Sequence, residues 1–402
     1  MVLLLLPAHS PPLTSWGFFG HRLINRHAVF SLPKPLFSYF KPHIDYLAEH
    51  AVDADKRRYA SPHEAPRHYM DLDRYGAPPF PDLPRNWSDA MLQYSEWRFV
   101  GPDRDTLPVF LAPVTPADSL VTLNPLLRHS LPAPLPRREL LTWFRKVALP
   151  RRFDPPWIVP QDSLPDWLAP PADWKADLQL TDLLSEHGIL PFHLTHSLSQ
   201  LTDAFQERDL QRILRLAADL GHYIADAHVP LHTTENYNGQ LTGQYGIHAF
   251  WESRLPELFA EDNYDFWIGP AHFLADPNAF FWNILLDSHR LVDSVLQTEK
   301  NLRQTFPTDR QLCFESKGRS VVKVPCEDFS AAYHQQLGNM VESRMRKAIH
   351  AVASAWYTAW VLAGQPDLPT ADPSGSEVTD STWVRTQQAF RQGTIQGRAH
   401  PD

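Results

Sequence analysis

The chain has 402 residues, 43% of them hydrophobic, enough for one large domain or two modest ones with a substantial core. A formal charge of −9 excludes a general electrostatic grip on nucleic acid, so an anionic substrate would need a local positive centre. Twenty histidines and 13 tryptophans are high counts, and neutral imidazole is the commonest metal ligand.

Residues 1–15, MVLLLLPAHSPPLTS, are an apolar run too short to span a membrane, followed by a Pro/Ser segment. They read as a secretory leader, although no basic residue precedes Leu3 and Leu13 is a poor residue ahead of a cut after Ser15. The alternative is an apolar N-terminus on a cytosolic protein. Next, WGFFGHRLINRHAVFSL carries Leu23, Ile24, His27 and Ala28 at helical spacing. Residues 43–73 mix carboxylates and histidines densely, and a Pro-rich loop over 78–84 precedes a helix start for which Ser88 is the expected cap.

From 101 to 171 the composition shifts: 15 of the 38 prolines fall here, without a sustained period of 2 or 3.6. This segment reads as an insertion lying over the surface, with one short helix over 137–149. Its aromatics, Trp143, Trp157, Trp167 and Trp174, fit a lid or a membrane-touching face, or else a structureless excursion. Helical periodicity resumes at Leu178 and leads through Leu210, Leu214, Ala217, Gly221 and Ile224 into the densest stretch, 210–252. Asp276-Pro277 starts another helix. Cys313 and Cys326 flank a hairpin-like stretch with Gly318 at its turn; one disulfide and two buried thiols both fit. Residues 329–364 form the longest periodic run, interrupted by Arg344, Arg346, Lys347 and His350, which predicts a core helix rather than a membrane span. The polar tail, 365–402, is expected to lack structure. Strand signals are almost absent. The expectation is therefore a mainly α protein, with a leader over 1–15, one helical domain over 16–364 and the insertion within it.

Chemistry concentrates in GHYIADAHVPLHTTENYNGQLTGQYGIHAFWE. His222 and Asp226 lie four apart, so on a helix they project from one face. Pro230 should kink or end that helix near His232. After a Gly/Asn-rich loop, His248 and Glu252 repeat the spacing. Convergent imidazole and carboxylate pairs are what zinc takes from helices, because its bonds are short.

WGFFGH (16–21), DADKRRY (53–59), HYMD (68–71), HYIADAHVPLH (222–232) and GIHAFWE (246–252), in this order, resemble the trinuclear zinc phosphodiesterases. That superfamily joins single-strand-specific nucleases of the S-one/P-one type to bacterial zinc-dependent phospholipases C. The resemblance covers 16–73 and about 178–258, with no counterpart for 101–171 or the tail. It implies a multi-helix zinc-hydrolase domain holding three zinc ions. One ion would take the amino nitrogen and carbonyl of Trp16 together with His21. Asp226 would bridge it to a second, held also by Asp55, His68 and His222. The third would take His232, His248 and Glu252. Asp53 competes with Asp55, which is preferred because Arg58 then completes the family's D-x-x-R spacing. Tyr69 and Asp71 match positions that stack on and hydrogen-bond a base in the nucleases; a packed core aromatic is the equal alternative for Tyr69. Arg58 matches a phosphate contact or, equally, a salt bridge holding Asp55; Asp55 is also the candidate partner of the attacking water. His228, His193, His196, His43, His50 and His63 fall outside the ligand pattern.

The resemblance thus implies an exported zinc hydrolase acting on single-stranded DNA, RNA or nucleotides. A phospholipase C acting on lipid headgroups is the alternative, and Glu252, where the nucleases carry Asp, leans that way. A non-enzymatic reading is a structural zinc cluster or a degenerate binding protein. If Trp16 supplies its amine, activity would require removal of residues 1–15.

Overall fold

The computed structural model describes residues 17–101, 103, 105–127, 134–153, 156–171, 173–317, 320–368, 381–393 and 395–396. The expected leader, Trp16 and Gly318 lie outside them. The protein is mainly α-helical, 59% helix against 10% strand, as the periodicity predicts. Among the described residues no helix is long and apolar enough to cross a membrane. The chain divides into two compact units, one made of Met1–Arg74 with Ile189–Asp402 and the other of Tyr75–Gly188.

The first unit is built on the helices Leu190–Glu207 and Leu210–Ala227. Between them Arg208 takes a left-handed φ of 54°, and the Asp209 carboxylate caps the second helix by accepting from the Arg212 N–H at 3.0 Å. Along Leu210–Ala227 the residues Ile213, Ala217, Leu220 and Ile224 are fully buried. Each large aliphatic of this stripe contributes about 1.5–3 kcal/mol of burial. The second half of the helix is buried on every side, so its polar residues His222 and Asp226 are buried with it. Beside it runs Met340–Leu362, whose Trp356 stacks on Phe40 at 5.1 Å and donates its indole N–H to the Ala217 carbonyl at 3.0 Å.

Gly221 decides how closely the first helix, Gly17–Ala28, can approach. A Cβ at this position would lie 2.0 Å from Oδ1 of Asn25, whose amide donates to the carbonyls of Ala218 and Leu47. His21 and His222 flank this contact and stack at 3.9 Å. We expect Gly221→Ala to destabilise by about 1–3 kcal/mol through overpacking. Helix propensity alone predicts the opposite sign, a gain of about 1 kcal/mol. Urea unfolding of the variant decides between them.

Three expectations are corrected in this unit. The run over 329–364 is two helices, Glu327–Leu337 and Met340–Leu362, because Gly338 between them adopts a φ of 63°. The helix carrying His222 ends at Ala227, a turn before His232, and Pro230–Thr233 form a short tight turn instead. Within the tail, for which composition predicts no structure, Ser381–Gln392 form a helix. Its Phe390 packs edge-on against Tyr59 at 5.0 Å, a partner that local composition cannot reveal. Other expectations are met. Asp276 caps the helix Pro277–His289 by accepting from the Ala279 N–H. The strands Leu312–Lys317 and Ser320–Pro325 pair as an antiparallel hairpin, and Cys313 and Cys326 are joined in a disulfide.

The unit Tyr75–Gly188 shows that 101–171 is not a structureless excursion but part of a folded unit with wider bounds. It holds a four-stranded antiparallel sheet in the order Thr106–Pro108, Ser95–Val100, Leu178–Asp182, Ile158–Val159. Trp97 and Phe99 pair with Leu180 and Leu178, and all four side chains are buried. Phe144 and Trp157 complete this face, with Trp97 5.3 Å from Phe144. Trp157 and Trp167 are therefore core residues of their own unit, not a lid or a membrane face. Two of the strands are only two and three residues long, too short for alternation to be read, whereas Ser95–Val100 and Leu178–Asp182 do alternate buried and more exposed positions. Asn86 rather than Ser88 caps the helix Trp87–Gln93, because its Oδ1 reaches the N–H groups of Ser88 and Asp89.

Candidate metal centre

Four helical segments and two short turns bring the candidate ligands together. Gly17–Ala28 carries His21, Asp53–Arg57 carries Asp55, the turn Ala65–His68 ends in His68, and Leu210–Ala227 carries His222 and Asp226. His232 sits in Pro230–Thr233. His248 and Glu252 lie where Ile247–Ala249 runs into a wide π turn, Phe250–Arg254.

Asp226 is the hub. Its Oδ1 lies 3.3 Å from His21 Nε2 and 3.8 Å from His232 Nε2. Its Oδ2 lies 2.9 Å from His68 Nδ1 and 3.2 Å from His222 Nε2. Asp55 Oδ1 stands 3.8 Å from both His68 Nδ1 and His222 Nε2. Glu252 Oε2 is 3.2 Å from His232 Nε2 and in direct contact with His248 Nε2. Four overlapping groups result: His21/Asp55/His222, His68/His222/Asp226, His232/His248/Glu252 and His21/Asp226/Glu252, each with its ligand atoms within 4.8 Å of one another. All of these residues except Asp55 are buried.

The donor set fits a metal ion. Bonds of about 2.0–2.2 Å in a tetrahedron put ligand atoms about 3.3–3.6 Å apart, and the contacts to Asp226 bracket that separation. The tautomers fit as well. His222 Nδ1 faces the Ala51 carbonyl at 2.8 Å and His232 Nδ1 faces the His68 carbonyl at 2.6 Å. Each Nδ1 therefore carries the proton, which turns the Nε2 lone pair toward the carboxylates.

The electrostatics are those of a site that attracts cations. Burial pushes the His222 imidazole down, but the Asp226 and Asp55 carboxylates outweigh it and raise it to about 9. Burial likewise opposes ionisation of Glu252, yet His248 and His232 pull it down to about 2. The cluster holds protons or metal ions in the same place, so metal binding must release protons.

Asp53 and Asp55 differ in their contacts. Asp53 is engaged by His50 Nδ1 at 2.6 Å and Lys56 Nζ at 2.7 Å, whereas Asp55 faces His68 and His222. Arg58 is buried with Nη1 4.0 Å from Asp55 Oδ1. Tyr69 and Asp71 are both buried beside Met70, whose N–H donates to the His232 carbonyl at 2.9 Å. That bond and the one from His232 Nδ1 to His68 clip 68–70 onto the turn bearing His232. The six histidines outside the ligand pattern are absent from every metal-capable group among the described residues. His228, for example, uses Nδ1 on the Ile224 carbonyl.

Glu64 was not among the residues singled out by sequence. Its Oε1 lies 3.7 Å from His68 Nε2, on the side of the ring away from Asp226, and accepts from the Tyr223 hydroxyl. Its Oε2 accepts from Arg67 at 2.8 Å and lies 3.4 Å from Arg57 Nε. A carboxylate behind a ligand imidazole fixes which nitrogen is free to bind. The signal was present: Glu64 and His68 are four apart, as in the two pairs that were noticed.

The chain matches no known protein family and no curated protein.

Proposed function

We propose that this protein is a zinc-dependent hydrolase of phosphate esters, holding three zinc ions and acting on single-stranded DNA, RNA or nucleotides. The observation that carries this reading is Asp226, with two histidines before each of its oxygens and ligand groups extending to both sides. Three groups of residues would hold the ions: Trp16 and His21 with Asp226; Asp55, His68 and His222 with Asp226; and His232, His248 and Glu252. Trp16 enters by the resemblance alone, since it lies outside the described residues. Zinc supplies charge neutralisation for the anionic ester and a water acidic enough to attack at neutral pH. Asp55 is the ligand with the most solvent access, 17% of its side chain, so its carboxylate is placed to take a proton from water entering the site. Arg58 would hold Asp55 or a phosphate oxygen, its planar fork suiting both. Tyr69 and Asp71 are proposed to meet the base.

Export is part of the proposal, and the Cys313–Cys326 disulfide is consistent with an oxidising compartment. The phospholipase alternative keeps Glu252 in its favour, but two of the four aromatics expected to form a lid, Trp157 and Trp167, are buried. A purely structural zinc cluster fits poorly, since structural sites usually close around four ligands with no solvent-reached carboxylate.

Metal analysis of dialysed protein should find three zinc ions, and one or fewer would refute the reading. A parallel assay on single-stranded DNA, RNA, nucleoside monophosphates and phosphatidylcholine should show nuclease or nucleotidase turnover, lost with chelator and restored by zinc. Turnover of phosphatidylcholine alone would assign the phospholipase activity instead.

A further inference from the structure

Behind the metal-bearing helix, the same unit holds a second cavity, of about 560 Å³. That volume is typical of a small-molecule site. One wall is the first half of the helix Met340–Leu362, which contributes Ser343, Arg344 and Lys347. Arg344 is only 4% exposed, and among the described residues no carboxylate pairs with it. Its Nε donates to the His228 carbonyl at 2.9 Å, and Nη2 reaches the Ile284 carbonyl at 3.4 Å and the Ser288 hydroxyl. Those bonds cap the end of the helix bearing Asp226, which accounts for two of the three guanidinium nitrogens. Nη1 has no hydrogen-bond partner among the described residues.

Burial pulls this guanidinium down to about 10, against the opposing pull of the Asp287 carboxylate, which lines the same cavity and makes no ion pair with it. The other charged groups facing the cavity are already engaged. Arg290 holds Asp287, and the Asp265 N–H holds Glu342 at 3.0 Å. Arg346 donates to the carbonyls of Asp265 and Trp267. His350 Nε2 meets the Pro270 carbonyl at 3.2 Å. Lys347, one helical turn beyond Arg344, is exposed and has no ion-pair partner among the described residues. Nη1 of Arg344 and the Lys347 ammonium are thus left without a hydrogen-bond or ion-pair partner among the described residues in one cavity, with the amides of Asn283 and Asn339 as further donors.

We propose that this cavity is a binding site for a phosphate monoester, separate from the metal cluster. The open Nη1 of Arg344 and the Lys347 ammonium match a group that carries about −1.5 to −2 at neutral pH and offers several acceptor oxygens, whereas a single carboxylate would leave one of them unmatched. Arg344 supplies a directed N–H and Lys347 a point charge, the two ways proteins hold phosphate. Phe280 and Ile284 line the same cavity and would cover the organic part of the ester. The proposal does not depend on the metal reading.

The test is calorimetric titration of the full zinc-loaded chain with inorganic phosphate, using succinate as the carboxylate control. Phosphate should bind at a site whose affinity falls at least tenfold in Lys347→Glu. Arg344→Lys, which keeps the charge but loses the fork, should fall by a similar factor. Lys347 is exposed and belongs to none of the metal-capable groups, so zinc content and hydrolysis by Lys347→Glu should stay within twofold of the parent. Binding that is unchanged in Lys347→Glu but vanishes with chelator belongs to the metal cluster and overturns the proposal. Absence of any phosphate binding overturns it too, and succinate binding as tightly as phosphate overturns the choice of ligand.

Discussion

Asp226→Asn is expected to lower the hydrolytic rate by more than a thousandfold, well above the roughly 10- to 100-fold that losing an outer-shell partner costs. The expectation follows from geometry. Both oxygens of Asp226 are engaged by imidazoles from four different segments, so the amide replaces a ligand atom in two groups at once. Burial favours the neutral acid, but His222 and His232 hold Asp226 well below the usual carboxylate range, so its charge is part of the site. Glu252→Asp is the matched comparison. It keeps the charge, its direct contacts are to His232 and His248 although it also stands in the His21/Asp226/Glu252 group, and a rotamer change can absorb one missing methylene. A loss of about 10- to 100-fold is expected there. Turnover, zinc stoichiometry and circular dichroism of both variants are the measurements. If Asp226→Asn keeps three zinc ions and near-normal turnover, the bridging role is wrong and the trinuclear reading falls with it.

What was legible in the sequence follows from the range of each signal. The i, i+4 pairs His222/Asp226 and His248/Glu252 could be read because helix geometry alone puts them on one face. That His21 reaches the Asp226 carboxylate depends on Gly221, which lets the Gly17–Ala28 helix approach, and no local pattern announces that. Asp55 was preferred over Asp53 by motif spacing; in the structure His50 and Lys56 hold Asp53, while Asp55 faces His68 and His222. The sheet of Tyr75–Gly188 was missed although Ser95–Val100 and Leu178–Asp182 alternate, because its other two strands are short, set among prolines and recognisable only once they pair. The helix Ser381–Gln392 was missed for a similar reason, since Phe390 finds Tyr59 only in the folded chain.

Glu64 is where a missed residue should have the largest consequence, because two effects meet in one side chain. Replacing it with Leu strands the Arg57 and Arg67 guanidinium groups and the Tyr223 hydroxyl beneath His68. Removing one partner of a buried ion pair costs about 3–5 kcal/mol. The arginines are 22% and 29% exposed and Arg57 keeps Asp219 at 3.0 Å, so about 2–4 kcal/mol is expected here. Glu64→Gln separates packing from charge. The amide keeps the shape and one acceptor, so the loss of stability should be smaller, about 1–3 kcal/mol. It nevertheless removes the carboxylate facing His68 Nε2, and with it the preference for a proton on that nitrogen and a free lone pair on Nδ1. Zinc affinity should therefore fall by about 10- to 100-fold in Glu64→Gln, while the Leu variant loses both affinity and stability. Chelator competition reads the first quantity and urea unfolding of the zinc-free protein the second. Wild-type zinc affinity in Glu64→Gln would show that Glu64 only braces the arginines, and that the His68 tautomer is set by the cluster itself.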